Sequence, residues 1–186
     1  MSEKVTAFWP VQIGKFKYLF FVVNWNDYSN SITESLEKNI ETFGKDLELK
    51  GKVIQSYQNA KGQTFQEVQR KKGWPDNIRA RFTDELYPFM LVINESFESF
   101  DPRANEWTII WLSDFCDNPN SISEIFGTLM RKVRQEENLF DYFKNLSTKK
   151  RIKKFMDRIE IKPGLFGFSI DVKAMLLDLG KLDSPV

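Results

Sequence analysis

The sequence predicts one α/β domain spanning residues 1–186, built in three layers. A mostly parallel central sheet of about five strands carries helices on both faces, and a basic helical segment lies at 131–160. Three observations predict this. Four short apolar runs rich in β-branched and aromatic residues lie at 17–25, 51–57, 88–94 and 107–113. Stretches of helical spacing separate and follow them. Two capping boxes, Ser31-x-x-Glu34 and Ser121-x-x-Glu124, mark helix starts. The length of 186 residues suits a single domain, and 41% hydrophobic with 28% charged residues excludes a disordered chain.

Residues 5–13 contain Trp9-Pro10 and make at most an edge strand, because proline cannot donate to a ladder. The runs 17–25, 88–94 and 107–113 barely alternate, as in strands covered on both faces. The run 51–57 alternates more and belongs nearer an edge. From Ser31, Ile32, Leu36, Ile40 and Phe43 fall on one helical face, with Glu34, Glu37, Lys38 and Glu41 on the wet side. Gly44 starts the exit, while Leu47 would continue the stripe. Strand, helix, strand in this order favours a parallel crossover.

Two short helices are expected at 64–72 and 75–86, with Gly73 stopping the first and Pro75 opening the second. Tyr87-Pro88 closes the second, since a residue before proline avoids the α region. The connection 95–106 is too short for a helical crossover, so the third and fourth runs pair antiparallel or are joined by an irregular excursion. The last third reads as helices marked by Ile122, Ile125, Phe126, Leu129 and Val133, by Leu139, Phe140 and Phe143, and by Ile152, Phe155, Met156 and Ile159. A turn at Pro163-Gly164, a strand at 165–172 and a helix at 173–179 complete the chain.

Composition narrows the chemistry. Histidine is absent, which removes a Ser-His-Asp triad, a Cys-His dyad, an H-E-x-x-H zinc site and a haem histidine. Cys116 is the single cysteine, so no intrachain disulfide or thiolate zinc cage forms, as suits a reducing cytoplasm. Between Phe115 and Asp117 its thiol is not activated, and it reads as a small semi-buried filler. No apolar run reaches the roughly 20 residues that span a bilayer, and no secretion signal is expected from the N-terminal residues. Neither G-x-x-x-x-G-K-[ST] nor G-x-G-x-x-G is present, so no nucleotide cofactor is expected.

Charge is the feature that points to partners. Residues 84–124 carry nine acids against one base, a net of −8; residues 131–158 carry ten bases against four acids, a net of +6. The expected function is therefore a cytoplasmic, non-catalytic regulatory or interaction module. Its acidic face would be Glu95, Glu98, Asp101 and Glu106, and its basic face Lys149, Lys150, Arg151, Lys153 and Lys154. The partner is another protein or a second copy, bound through complementary charge. Phe97 and Phe100, on the acidic loop, serve as interface anchors or fold back onto the core.

Two alternatives use the same residues differently. In the first, Asp27, Asp114 and Asp117 follow strand ends and hold Mg²⁺ for phosphodiester or nucleotide hydrolysis. That reading requires the first and fourth runs to be parallel neighbours. The Glu48-Leu-Lys50 pair offers a weaker nuclease pattern, equally suited to a solvated strand entry. In the second alternative the lysine-rich helix binds nucleic-acid phosphates, joined by Lys71, Lys72, Arg79 and Arg81.

Overall fold

The computed structural model describes residues 2–23, 31–47, 50–84, 88–112, 119–148 and 168–170. Its strands are β1 (Ser2–Val5), β2 (Tyr18–Val23), β3 (Gly51–Ser56), β4 (Phe89–Ile93), β5 (Trp107–Trp111) and β6 (Phe168–Ile170). Its helices are α1 (Ser31–Asp46), α2 (Lys61–Gln69), α3 (Asp76–Asp84), α4 (Pro119–Arg134) and α5 (Leu139–Thr148). The strands form one sheet in the order β1-β3-β2-β4-β5-β6.

The three-layer α/β expectation holds, but the mostly parallel sheet does not. The sheet is mixed: β1 and β2 flank β3 in parallel and β5 pairs β6 in parallel, whereas β4 is antiparallel to both β2 and β5. The connection after β4 has no helix to carry the chain over the sheet, so β5 must return beside β4 in the opposite direction. The first and fourth apolar runs, β2 and β5, consequently point the same way but are separated by β4.

Pleating assigns the core. Tyr18, Phe20 and Val22 of β2 face one side and Leu19, Phe21 and Val23 the other, and all six are buried. On the first side Leu36, Ile40, Phe43 and Leu47 from α1 and its exit pack with Phe126, Leu129 and Val133 of α4. Leu139, Phe140 and Phe143 of α5 complete this cluster. On the second side lie Phe65 and Val68 of α2, Ile78 and Phe82 of α3, and rings from two loops. Each buried large side chain contributes about 1.5–3 kcal/mol of transfer free energy.

Boundaries differ where tertiary packing overrides local signals. The edge strand is Ser2–Val5, and residues 6–13 are a loop whose Phe8 and Val11 are buried. Helix α1 runs through Gly44, because Phe43 and Leu47 are drawn into the core on the same stripe. Helix α2 starts at Lys61 after a 3-10 turn at Gln58–Ala60, earlier than Thr64, and ends at Gln69. Gly51 opens β3 where a Cβ would lie 2.8 Å from the Phe20 ring, so only glycine fits there. Phe168–Ile170 lies within the strand expected at 165–172. The third C-terminal helix, the Pro163-Gly164 turn, the 173–179 helix and Cys116 lie outside the described residues.

Candidate functional site

The acidic residues of the expected interaction face sit on the loop from Asn94 to Glu106, between β4 and β5. This loop is tied down along its length. Ser96 Oγ accepts the Ile13 N–H at 2.9 Å and donates to Gln12 Oε1 at 3.0 Å; the Phe97 N–H donates to the Val11 carbonyl at 3.2 Å. The Phe97 ring is 1% exposed and lies 5.7 Å from the Phe8 ring and 5.2 Å from the Phe21 ring. Phe100 is 2% exposed, with its ring 5.7 Å from Trp74. Both phenylalanines thus fold back onto the core, and neither serves as an exposed anchor.

The second half of the loop is a knot of short-range hydrogen bonds. Asn105 Oδ1 accepts the Asp101 N–H at 2.7 Å, while the Asp101 carbonyl accepts from Ala104 at 3.0 Å and Asn105 at 2.9 Å. Asp101 Oδ1 accepts the Arg103 N–H at 2.8 Å, an Asx turn. The Trp107 indole donates to the Pro102 carbonyl at 2.9 Å. Gly73, at φ +103°, lets the Arg103 side chain lie against the backbone between α2 and α3, where a Cβ would meet Arg103 Cγ at 2.7 Å.

Lys71 fastens this loop from below. Its ammonium donates to the backbone carbonyls of Phe97 and Glu98, the latter at 3.0 Å, and stands 4.8 Å from the centre of the Phe97 ring. Trp9, 55% exposed, covers it with its ring centre 5.6 Å away. Burial lowers the Lys71 pKa from its ordinary value, against the opposing fields of Asp101, Glu98 and Glu67. Glu67 in turn accepts the Phe8 N–H at 2.6 Å and the Trp9 N–H at 3.3 Å.

The outcome is a loop whose backbone is fixed and whose acidic residues remain at least partly exposed. Glu98 and Asp101 are exposed, and Glu95 and Glu106 are half-buried. Among the described residues none of the four is held in an ion pair. The ion pairs present lie elsewhere: Lys50 with Glu136 at 3.1 Å, Lys132 with Glu137 at 2.9 Å, Arg134 with Asp46 at 3.6 Å, and Lys52 with Glu3. Of the basic block, Lys132 and Arg134 thus pair with Glu137 and Asp46, away from the acidic loop.

The other expected sites fare differently. Asp27, Asp114 and Asp117 lie outside the described residues, as do Lys149, Lys150, Arg151, Lys153 and Lys154. The strand relation that the Mg²⁺ alternative requires is not met, because β4 lies between β2 and β5. Among the described residues no three carboxylates or thiols gather as a metal-binding group, and no helix is long and apolar enough to cross a membrane. The proposed basic face also disperses: Lys71 is under the acidic loop, Arg79 donates to the Trp74 carbonyl at 3.1 Å, and Arg81 stacks 4.4 Å over the Trp111 ring. Sequence reading missed Lys71 as the fastener, since nothing in the order Arg70-Lys71-Lys72 separates it from its neighbours. Comparison with protein-family models, curated proteins and solved structures yields no match, so neither a family nor a function passes to this chain from a relative.

Proposed function

We propose that the protein is a non-catalytic recognition module of the cytoplasm, which binds a positively charged protein surface through its acidic loop. One observation carries this reading: Glu95, Glu98, Asp101 and Glu106 ride on a backbone already fixed by the core and by Lys71, without ion pairs among the described residues. A pre-ordered loop loses little entropy on binding, so its charge acts directly on affinity and encounter rate. The lysine-rich run of a second copy, with Lys149, Lys150, Arg151, Lys153 and Lys154, is the complementary surface the chain itself offers. An acidic patch meeting a basic patch elsewhere on a second copy is a heterologous contact, closing a ring or extending a filament.

Fluorescence anisotropy with a labelled peptide of residues 146–160 tests this, together with sedimentation velocity of the full chain. Peptide binding and self-association should both be evident at an ionic strength of roughly 0.02 M and fade at roughly 0.3 M, as screening shortens the reach of surface charge. Replacing Glu95, Glu98 and Glu106 with glutamine should weaken the peptide by about tenfold, at the few tenths of a kcal/mol to about 1 kcal/mol that each exposed charge contributes. Sedimentation and anisotropy unaffected by salt and by these substitutions would remove the reading.

A further inference from the structure

Phe97 and Phe100 are lost to the core, yet one large ring beside the acidic loop stays outside. Among the described residues the large hydrophobic side chains left exposed are Trp9, at 55%, and Tyr57. Tyr57 follows β3 at the end of the sheet away from the acidic loop. Trp9 adjoins the loop through Lys71, whose ammonium stands 5.6 Å from the centre of the indole ring and donates to the Phe97 and Glu98 carbonyls. Ring and loop are thus within reach of a single long side chain.

The backbone under Trp9 is as firmly held as the loop. Phe8, Trp9, Pro10 and Val11 form a turn closed by the Val11 N–H on the Phe8 carbonyl at 2.9 Å. Both ends of the turn are core residues, Phe8 and Val11. Glu67 accepts the N–H groups of Phe8 and Trp9, and the Val11 carbonyl accepts the Phe97 N–H. The turn that lifts Trp9 into solvent is therefore hydrogen-bonded to the loop that carries the acids. A ring of this size gains much by leaving water, and tryptophan is among the residues most enriched at the anchoring centres of protein interfaces.

The charge beside the ring selects the partner. Glu67, Glu98 and Asp101 all act on the Lys71 ammonium, so this group of four carries a net charge of −2. Among the described residues neither Glu98 nor Asp101 is held in an ion pair. Cations are attracted to indole faces, and Lys71 already takes such a position on this ring. Of the two cationic side chains arginine suits the remaining surface better: its flat guanidinium stacks on an aromatic ring while its N–H fork donates to a carboxylate. We propose that Trp9 anchors the interface of the acidic loop by stacking an arginine side chain of a basic protein segment, whose guanidinium also donates to Glu98 or Asp101. This anchor rests on the acidic loop binding a basic protein surface, and it names what that surface must present besides charge.

The test is fluorescence anisotropy of the full chain with two labelled peptides of equal charge. One is the segment 146–160, which carries Arg151 and Arg158, and the other has both arginines replaced by lysine. At an ionic strength of roughly 0.02 M the arginine peptide should bind about fivefold tighter, the range of an exposed cation–ring contact. Trp9→Leu should bring the two peptides to equal affinity. Trp9→Phe, with a smaller ring, should cut the preference to about twofold and keeps the test decisive if the leucine variant fails to fold. Equal affinity of the two peptides for the wild-type chain, or a preference undiminished in either variant, would overturn the proposal. If both peptides still bind and are released by salt, that result leaves the acidic loop as the binding surface and removes Trp9 alone. Failure of both peptides to bind would remove the two together.

Discussion

The two faces of the sheet are closed by different means. The first is covered by α1 and α4, each of 16 residues, and by α5 of 10 residues, whose apolar stripes lie on the strands like ordinary amphipathic helices. On the second face the described residues form two nine-residue helices, α2 and α3. Loops complete that layer, with Phe8, Phe97, Phe100 and the Trp74 and Trp107 rings packed at tilted to edge-to-face angles, the latter pair 4.9 Å apart. The difference teaches where rigidity outside regular structure comes from: large rings let a loop act as part of the core. The acidic loop inherits that order, so its carboxylates are displayed from a fixed backbone.

Large-to-small substitution on each side separates the two faces. Phe97→Ala should cost about 3–5 kcal/mol in urea unfolding and should shift the amide signals of the acidic loop. Leu129→Ala, on the helical face, should cost about 2–4 kcal/mol and leave those signals in place. If both variants disturb the loop alike, the two faces do not act as separate layers.

A smaller effect sharpens the role of Lys71. Lys71→Met removes the donors to the Phe97 and Glu98 carbonyls and should cost about 1–2 kcal/mol. Its pH dependence has a definite sign. Because the folded state lowers the Lys71 pKa, the unfolded chain binds more protons between that lowered value and the ordinary one. The Lys71 contribution is thus largest above the ordinary lysine pKa and falls as pH drops through the folded value. The stability gap between wild type and Lys71→Met should widen from neutral toward alkaline pH; a gap that narrows would contradict the burial argument.

The smallest expected effect is a gain. Thr108 on β5 and Thr128 on α4 each bury a hydroxyl without a hydrogen-bond partner among the described residues. Thr128→Val keeps the shape and removes the unpaired group, so it should raise stability by about 0.5–1 kcal/mol in the same unfolding assay. A loss would mean that the hydroxyl has a partner after all.

Much of the fold was legible because burial on both faces leaves continuous apolar runs. The runs at β2, β4 and β5 and the stripe Leu36, Ile40, Phe43 mark their elements without ambiguity. Strand order was not legible, since no local signal says that β4 inserts between β2 and β5. The short connection after β4 held the one clue, and it conflicted with the parallel sheet expected overall. At the site, the acidic residues were visible as a charge block, but their fastening was not. Lys71 reaches the loop through a contact across 26 residues of sequence, and Phe97 and Phe100 read equally well as anchors or as core.

The acidic loop is a fixed display and not a loose tether, and amide hydrogen exchange measures that directly. The N–H groups of Phe97, Phe100, Asp101, Arg103, Ala104 and Asn105 all donate within the fold and should exchange slowly, with protection approaching that of β4 and β5. Exchange of those amides at the rate of an exposed, unstructured chain would contradict it.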